Sequence, residues 1–197
     1  MRSLIRELIE TVILALLIFL ALQFSVQNFR VEGSSMQPTL EEGQYLLVNK
    51  IVYFHLSPSG LRSLFASESD TKDQSIFPIR DPKRGDVIIF HFPLDVSRDF
   101  VKRVIGLPGD TVSIRQGQVF VNELMLEEPY VTRPDKTNMS PEKVGPNEYF
   151  VLGDNRRASN DSRDWGTVPT NNIIGRAWVS YWPLNQMHSL IAFPLPF

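Results

Sequence analysis

Hydroxyl groups are the side-chain nucleophiles this sequence offers, because its 197 residues include no cysteine. A serine or threonine nucleophile needs a base to remove its proton, and histidine is the usual one. His55, His91 and His188 fall in no nucleophile or metal motif, so we expect ordinary packed or surface roles for them. The absence of cysteine also removes thiolate metal sites. The base for any hydroxyl nucleophile must then be of another type.

Ser35 is the candidate nucleophile. It lies in residues 32–40, EGSSMQPTL, with small residues before it and a proline shortly after it. Such a segment favours a turn that exposes a hydroxyl. A serine-rich turn without a catalytic role would have the same composition, and this alternative stays open on local grounds.

Lys102 is the candidate base. In residues 100–105, FVKRVI, strand alternation places Lys102 on one face with Phe100 and Val104, and Arg103 on the opposite face. A lysine acts as a base only when neutral, so its pKa must fall from about 10.4 to about 7–8. Desolvation among apolar neighbours shifts the pKa in that direction. The alternative is an amphipathic edge strand whose lysine extends to water.

A polar loop at 153–166, GDNRRASNDSRDWG, follows an apolar strand-like run. A calcium site is disfavoured, because the three arginines of the loop would repel a cation held by Asp154, Asp161 and Asp164. We expect a hydrogen-bonded scaffold that orients other groups. A solvated loop with surface ion pairs is the alternative.

Short apolar runs rich in β-branched and aromatic residues must position these segments. They predict strands at 45–53, 87–92, 100–105, 119–121, 149–152 and 173–182. A turn at 115–118 predicts a hairpin between 112–114 and 119–121. Serine and proline content predicts surface loops at 57–83 and 127–147. The expected fold is mainly β, of sandwich or barrel type, without a second long helix.

The N-terminal segment predicts one transmembrane helix at 11–29. These residues carry no charge, and a helix of this length is about 28 Å long, close to the ~30 Å hydrocarbon core. A cleavable signal peptide is disfavoured because no small-x-small triplet follows the apolar run. A buried core helix is disfavoured because apolar residues occur on all sides of the helix rather than along one stripe. Arg2 and Arg6 favour a cytoplasmic N-terminus at 1–10, with residues 30–197 on the extracytoplasmic side of the lipid bilayer. The net charge of −2 gives no attraction to nucleic acid.

Taken in order after the apolar run, these segments resemble the type I signal peptidases (leader peptidases), membrane-bound Ser-Lys proteases. Residues 35–40, SMQPTL, match the family's S-M-x-P-T-L box, and residues 84–87, RGDV, match R-G-D-[VI]. Residues 102–110, KRVIGLPGD, match K-R-[VA]-[IV]-G-x-P-G-D, and residues 153–163 match G-D-N-R-x-x-S-x-D-S-R. Four ordered boxes are far more specific than one short motif. The resemblance implies an antiparallel, barrel-like β catalytic domain.

The resemblance implies a role for each matching residue. Ser35 would attack the scissile carbonyl, Lys102 would take its proton, and Ser159 would orient Lys102 by a hydrogen bond. Some members carry a serine that helps bind the oxyanion where this chain has Gly33, so a backbone N–H or a water near Gly33 is expected to replace it. Structural support would come from Arg103, Asp154, Asp161 and Arg163, with Asp154 paired to Arg103.

The implied substrates are exported precursors with signal peptides and small residues at the first and third positions before the cut. The residues implied to line shallow substrate pockets are Phe29, Val31, Met36, Leu40, Phe100 and Val101. An extended substrate would pair with the strand edge at 100–102. No cofactor and no metal is expected. Three alternatives stay open: a pilin-maturation Ser-Lys protease of the conjugation type, a self-cleaving repressor-type protease, and a non-catalytic, membrane-tethered β binding module. The repressor type is disfavoured, because this chain has a membrane run where such proteases carry a DNA-binding domain.

Overall fold

The computed structural model describes residues 2–50 and 80–190 of the chain. Three sequence predictions fall outside the described residues in whole or in part: the role of His55, the loop at 57–83 up to residue 79, and the end of the strand predicted at 45–53. In the described part, one long helix precedes two antiparallel β-sheets.

The helix α1 spans Arg2–Ser25. Within the described residues, no helix is both long enough and apolar enough to qualify as a membrane span. The predicted helix end at residue 29 is wrong. Residues 26–30 form an edge strand, in which the polar Gln27 and Asn28 are exposed while Val26 and Phe29 are half-buried.

The described residues form twelve strands and a second, four-residue helix, α2 Ser162–Trp165. The strands are β1 Val26–Arg30, β2 Tyr45–Asn49, β3 Val87–Phe92, β4 Asp95–Gly106, β5 Thr111–Arg115, β6 Gln118–Val121, β7 Leu124–Met125, β8 Met139–Lys143, β9 Glu148–Leu152, β10 Val168–Pro169, β11 Ile173–Trp182 and β12 His188–Ser189. The predicted bounds of β3 and β11 are confirmed. The predicted hairpin is β5–β6, and its turn residues Gln116 and Gly117 have φ values of 50° and 82°.

The larger sheet has the order β1-β2-β11-β3-β4-β9-β10, with β12 beside β11, and the smaller one the order β7-β6-β5-β8. Both sheets are open. The barrel-like expectation is therefore wrong, because a barrel requires the end strands to pair with each other, whereas β1 pairs with β2 and β10 with β9. The predicted loop at 127–147 is also wrong in part, since it contains β8, which pairs with β5.

The core consists of three apolar clusters on the faces of the sheets. One lies between β5, β6 and the end of β4 and includes Ile105 and Phe150. Another packs under the turn after β1 and includes Leu46 and Val48 of β2. Because these clusters fix β4 on both sides, the strand that carries the predicted base has little freedom to move.

Candidate active site

The segment with the candidate nucleophile forms a turn anchored by its apolar residues. Met36 and Leu40 are 1% and 0% exposed, and the Leu40 N–H donates to the Met36 carbonyl at 2.9 Å. Both were expected to line substrate pockets; in this structure their side chains pack in the core under β2 and are not among the residues that line the cleft described below. Ser35, between the cleft and this anchor, is half-buried.

Ser35 and Lys102 are in contact. Lys102 Nζ lies 2.9 Å from Ser35 Oγ and donates a second hydrogen bond, of 3.0 Å, to the Val101 carbonyl. The Lys102 side chain leaves β4 on the same face as Phe100, with Nζ 5.3 Å from the centre of that ring. The lysine is 4% exposed. The geometry therefore brings the predicted nucleophile and base together across 67 residues of sequence.

Burial lowers the pKa of Lys102 from its ordinary 10.5 to about 8. The carboxylates of Asp161 and Asp154 act in the opposite direction but are outweighed by desolvation. With a pKa of about 8, about one-tenth of the amine is neutral at pH 7. A neutral amine in hydrogen-bond contact with a serine hydroxyl can accept its proton.

The two histidines within the described residues, His91 and His188, contact groups other than Ser35 and Lys102. His91 Nδ1 lies 2.8 Å from the Asp99 carboxylate, and His188 Nε2 lies 2.9 Å from the Thr39 carbonyl. Neither ring hydrogen-bonds to Ser35 or Lys102. Their geometry is consistent with a lysine as the base.

The loop after β9 holds the nucleophile turn by its backbone. The Asn155 N–H donates to the Ser35 carbonyl at 3.0 Å, and Asn155 Nδ2 donates to the Ser34 carbonyl at 3.1 Å. Gly153 leaves no room for a side chain, because a Cβ there would overlap Ser159 Oγ and the Ser35 carbonyl oxygen. Sequence reasoning gave Asn155 no role. Its place in the GDNR box was the signal that could have found it.

Ser159 lies next to Gly153 but forms no hydrogen bond with Lys102. Its Oγ is buried and has no hydrogen-bond partner in the part of the chain that the structure describes. The orienting contact expected between Ser159 and Lys102 is therefore absent from this geometry, in which the amine is held by Ser35 and Val101 instead.

Arg103 leaves β4 on the face opposite Lys102 and pairs with Asp154, as expected. Arg103 Nε and Nη2 donate to the two carboxylate oxygens of Asp154 at 2.8 Å and 2.6 Å, and both side chains are buried. Arg103 also donates to the Gly85 carbonyl at 2.9 Å, and the Thr39 hydroxyl donates to Asp154. This ion pair thus connects β4, the nucleophile turn and the loop after β9.

Replacing Asp154 by alanine should destabilise the fold by about 3–5 kcal/mol, because it leaves the buried Arg103 charge without a partner. Urea unfolding of the detergent-solubilised chain measures this change. The exposed pair Arg115–Glu123 provides the matched control, and Glu123→Ala should leave the unfolding midpoint in place. Equal effects of the two substitutions would contradict the role given to Asp154.

A second group of buried charges was missed by sequence reasoning. Arg156 forms a two-pronged ion pair with Glu128, and the Tyr130 hydroxyl donates to Glu128 at 2.8 Å. Burial raises the pKa of Tyr130 well above its usual range. Glu128 and Tyr130 lie in the predicted surface loop at 127–147, where proline content concealed their burial.

The helix α2 fixes the end of the same loop. The Asp161 side chain caps α2 and accepts a hydrogen bond from the Gly153 N–H at 3.0 Å. Arg163 Nε donates to Asp161 at 2.8 Å, and Arg163 Nη1 donates to Asp135 at 2.6 Å. Asp161 and Arg163 therefore hold this loop against its neighbours, in the positions that the sequence predicted.

A cleft of about 490 Å³ opens beside Ser35 and Lys102. Of the residues expected to line substrate pockets, Phe29, Val31, Phe100 and Val101 line this cleft. Sequence reasoning missed other lining residues, namely Arg30, Glu32, Ser34, Leu46, Ile89, Arg98, Asp99, Ala158 and Asn160.

The cleft is bounded by an open strand edge. Residues 99–103 of β4 pair with β3 on one side, whereas β9 pairs with β4 only at 103–106. Gly33 also lines the cleft, with a φ of 80° and nothing within 4 Å of a Cβ placed there. An extended peptide can therefore lie along β4 with a carbonyl next to Ser35.

Comparison with known proteins gives one family. Residues 5–182 match the sequence profile of the family described as signal peptidase, peptidase S26. The chain is 39% identical over 193 residues to the signal peptidase I of Leptolyngbya laminosa, covering 93% of this chain and 83% of that protein. It is 38% identical over 178 residues to the signal peptidase I of Bacillus caldolyticus, covering 83% of each chain.

A solved structure of a signal peptidase I from Enterococcus faecalis is 32% identical to this chain. The alignment covers 49% of this chain and 97% of that chain, with a TM-score of 0.43.

Proposed function

The chain belongs to the signal peptidase family, peptidase S26, whose type I members are serine endopeptidases, and we propose that it cuts signal peptides from exported precursors with Ser35 and Lys102. The observation that carries this assignment is the 2.9 Å contact between Ser35 Oγ and the buried Lys102 Nζ beside an open cleft. The similarity over most of the chain to proteins named signal peptidase I favours this function over the pilin-maturation, repressor-type and non-catalytic alternatives.

The reaction begins with neutral Lys102. The amine takes the Ser35 proton as Oγ attacks the carbonyl carbon of the scissile bond, and a tetrahedral oxyanion forms. The resulting ammonium then donates that proton to the leaving amine, which departs as the new N-terminus of the mature protein. Water, deprotonated in turn by Lys102, hydrolyses the acyl-enzyme and restores the hydroxyl. No step requires a metal or a cofactor.

The oxyanion needs donors that are already in place. The backbone N–H of Ser35 is one, and its position is held by the two hydrogen bonds from Asn155 to the carbonyls of residues 34 and 35. The open space at Gly33 leaves room for a water molecule as the second donor. Asn155 therefore acts as a positioning residue for the nucleophile turn.

The specificity in this proposal rests on the family resemblance and on the lining of the cleft. Phe29, Val31 and Val101 line it with apolar side chains, and in this proposal they face the substrate residues before the cut. An extended substrate that pairs with the open edge of β4 presents alternate side chains to this wall. The proposed recognition signal is therefore a small residue at the first and third positions before the cut.

The proposal extends to the membrane. Apolar side chains of α1 such as Leu8, Ile13, Leu17 and Ile18 are each more than half exposed, and they lie on different sides of the helix. They support a single-pass anchor with residues 1–10 in the cytoplasm and the catalytic domain on the extracytoplasmic side of the bilayer. Trp178, exposed on β11, is a further apolar contact for a lipid surface.

The test uses the full chain in detergent and a precursor with Ala-x-Ala before its mature region. It should be cut once, after the second alanine, whereas a precursor with Leu-x-Leu should stay intact. N-terminal sequencing of the product locates the cut. Cleavage at other sites, or equal cleavage of both precursors, would overturn the assignment. In sealed vesicles, digestion of residues 30–190 only from the extracytoplasmic side checks the orientation.

A further inference from the structure

Arg98 is an exposed cation that lines the cleft. Its guanidinium carbon lies 5.6 Å from the centre of the Phe92 ring and 5.2 Å from that of Phe100. These two rings are stacked at 4.6 Å, and Trp165 packs against the edge of Phe92 at 5.6 Å. Attraction between the guanidinium and the faces of these rings favours this position of the charge.

The charge of Arg98 is not neutralised by a direct ion pair within the described residues. Asp95 acts on Arg98 electrostatically, but its carboxylate accepts hydrogen bonds from the N–H and the hydroxyl of Ser97. Asp99, which also lines the cleft, has its carboxylate 2.8 Å from His91 Nδ1. The exposed guanidinium is therefore available to a ligand in the cleft.

Arg98 stands at a defined distance from the dyad. The Arg98 guanidinium carbon and Lys102 Nζ lie 5.2 Å and 5.3 Å from the centre of the Phe100 ring, so the two charged groups are at most about 10.5 Å apart, the length of about three residues of extended peptide. The strand edge between them is open. A peptide extended along this edge with its scissile bond at Ser35 places the side chain three residues before its first position, which is the fourth position before the cut, beside Arg98.

We propose that Arg98 determines specificity at the fourth position before the cut, where it favours an acidic side chain and disfavours a basic one. This inference rests on the proposed function. The wall of Phe29, Val31 and Val101, assigned to the small residues before the cut, lies in the same cleft as Arg98. Val101 of this wall lies between Lys102 and Arg98 along β4, so a peptide that places the residues before its cut against the wall runs from the dyad towards Arg98.

The experiment measures kcat/KM for three Ala-x-Ala peptides that carry Glu, Gln or Lys at the fourth position before the cut. For the wild type we expect the order Glu, Gln, Lys, with about a fivefold ratio between the first and the last at low salt. This ratio should fall towards one in 1 M NaCl. Arg98→Gln should remove the preference, and Arg98→Glu should reverse it.

Arg115→Gln is the matched control, because Arg115 is an exposed arginine whose guanidinium lies 4.7 Å from the Phe120 ring in the smaller sheet, away from the cleft. This variant should keep the wild-type charge preference. The inference is wrong if wild type cuts all three peptides equally, if the preference survives in Arg98→Gln, or if it appears only for charges placed after the cut. Failure to cut any Ala-x-Ala peptide would instead count against the proposed function.

Discussion

Replacing Ser35 by alanine should reduce kcat/KM for an Ala-x-Ala precursor by about 10⁴-fold or more, and replacing Lys102 by alanine should do the same. Ser35 supplies the atom that attacks the carbonyl, and Lys102 Nζ is the group placed 2.9 Å away to take its proton. Because the two act in one step, the double variant should be no slower than either single variant. Cleavage is measured by mass spectrometry of the two products.

The matched controls lie on β8, in the smaller sheet. Ser140→Ala and Lys143→Ala remove an exposed serine and an exposed lysine far along the chain from the cleft, and both should cut at the wild-type rate. Lys102→Met tests whether packing alone explains the loss, because methionine keeps an unbranched apolar chain of similar length without an amine. Substantial activity in Lys102→Met would mean that another group removes the Ser35 proton.

The pH dependence of kcat/KM should show the depressed pKa of Lys102. Since the neutral amine is the active form and burial lowers its pKa to about 8, kcat/KM should rise about tenfold per pH unit below that value and level off above it. Between pH 6 and pH 9 the expected increase is therefore close to 100-fold. Initial rates at a substrate concentration well below KM give this profile directly.

The position of the midpoint distinguishes the possible bases. A midpoint near 10.5 would indicate a lysine exposed to water, and one near 6.5 a histidine. His91→Gln and His188→Gln should keep the midpoint near 8, although the second removes a contact to the Thr39 carbonyl. A shift of the midpoint in either variant would contradict the assignment of the base.

Strand alternation predicted the part of the site that depends on local periodicity. In residues 100–105 it placed Lys102 beside Phe100 and Arg103 on the other face, and the structure has Lys102 at the serine and Arg103 at Asp154. A strand leaves a side chain only two faces, so this inference needed no knowledge of the tertiary fold.

Features that depend on packing between distant segments were not predictable in the same way. Met36 and Leu40 are adjacent to the nucleophile in sequence, but whether they face the cleft or the core depends on where β2 lies beneath them. The burial of Glu128 and Tyr130 likewise depends on the ion pair that Arg156, in the loop after β9, forms with Glu128. Sheet closure is also a global property, and the strand pattern was compatible with a barrel or an open sheet.

The hydrogen bonds from Asn155 to the nucleophile turn have a consequence for biosynthesis. A chain still on the ribosome exposes residues 35 and 102 well before the loop at 153–155 that braces the serine. We therefore expect the serine to gain these two hydrogen bonds only after residues 153–155 have been synthesised and have folded against the nucleophile turn. Peptide cleavage by a growing chain is then expected to begin late in its synthesis.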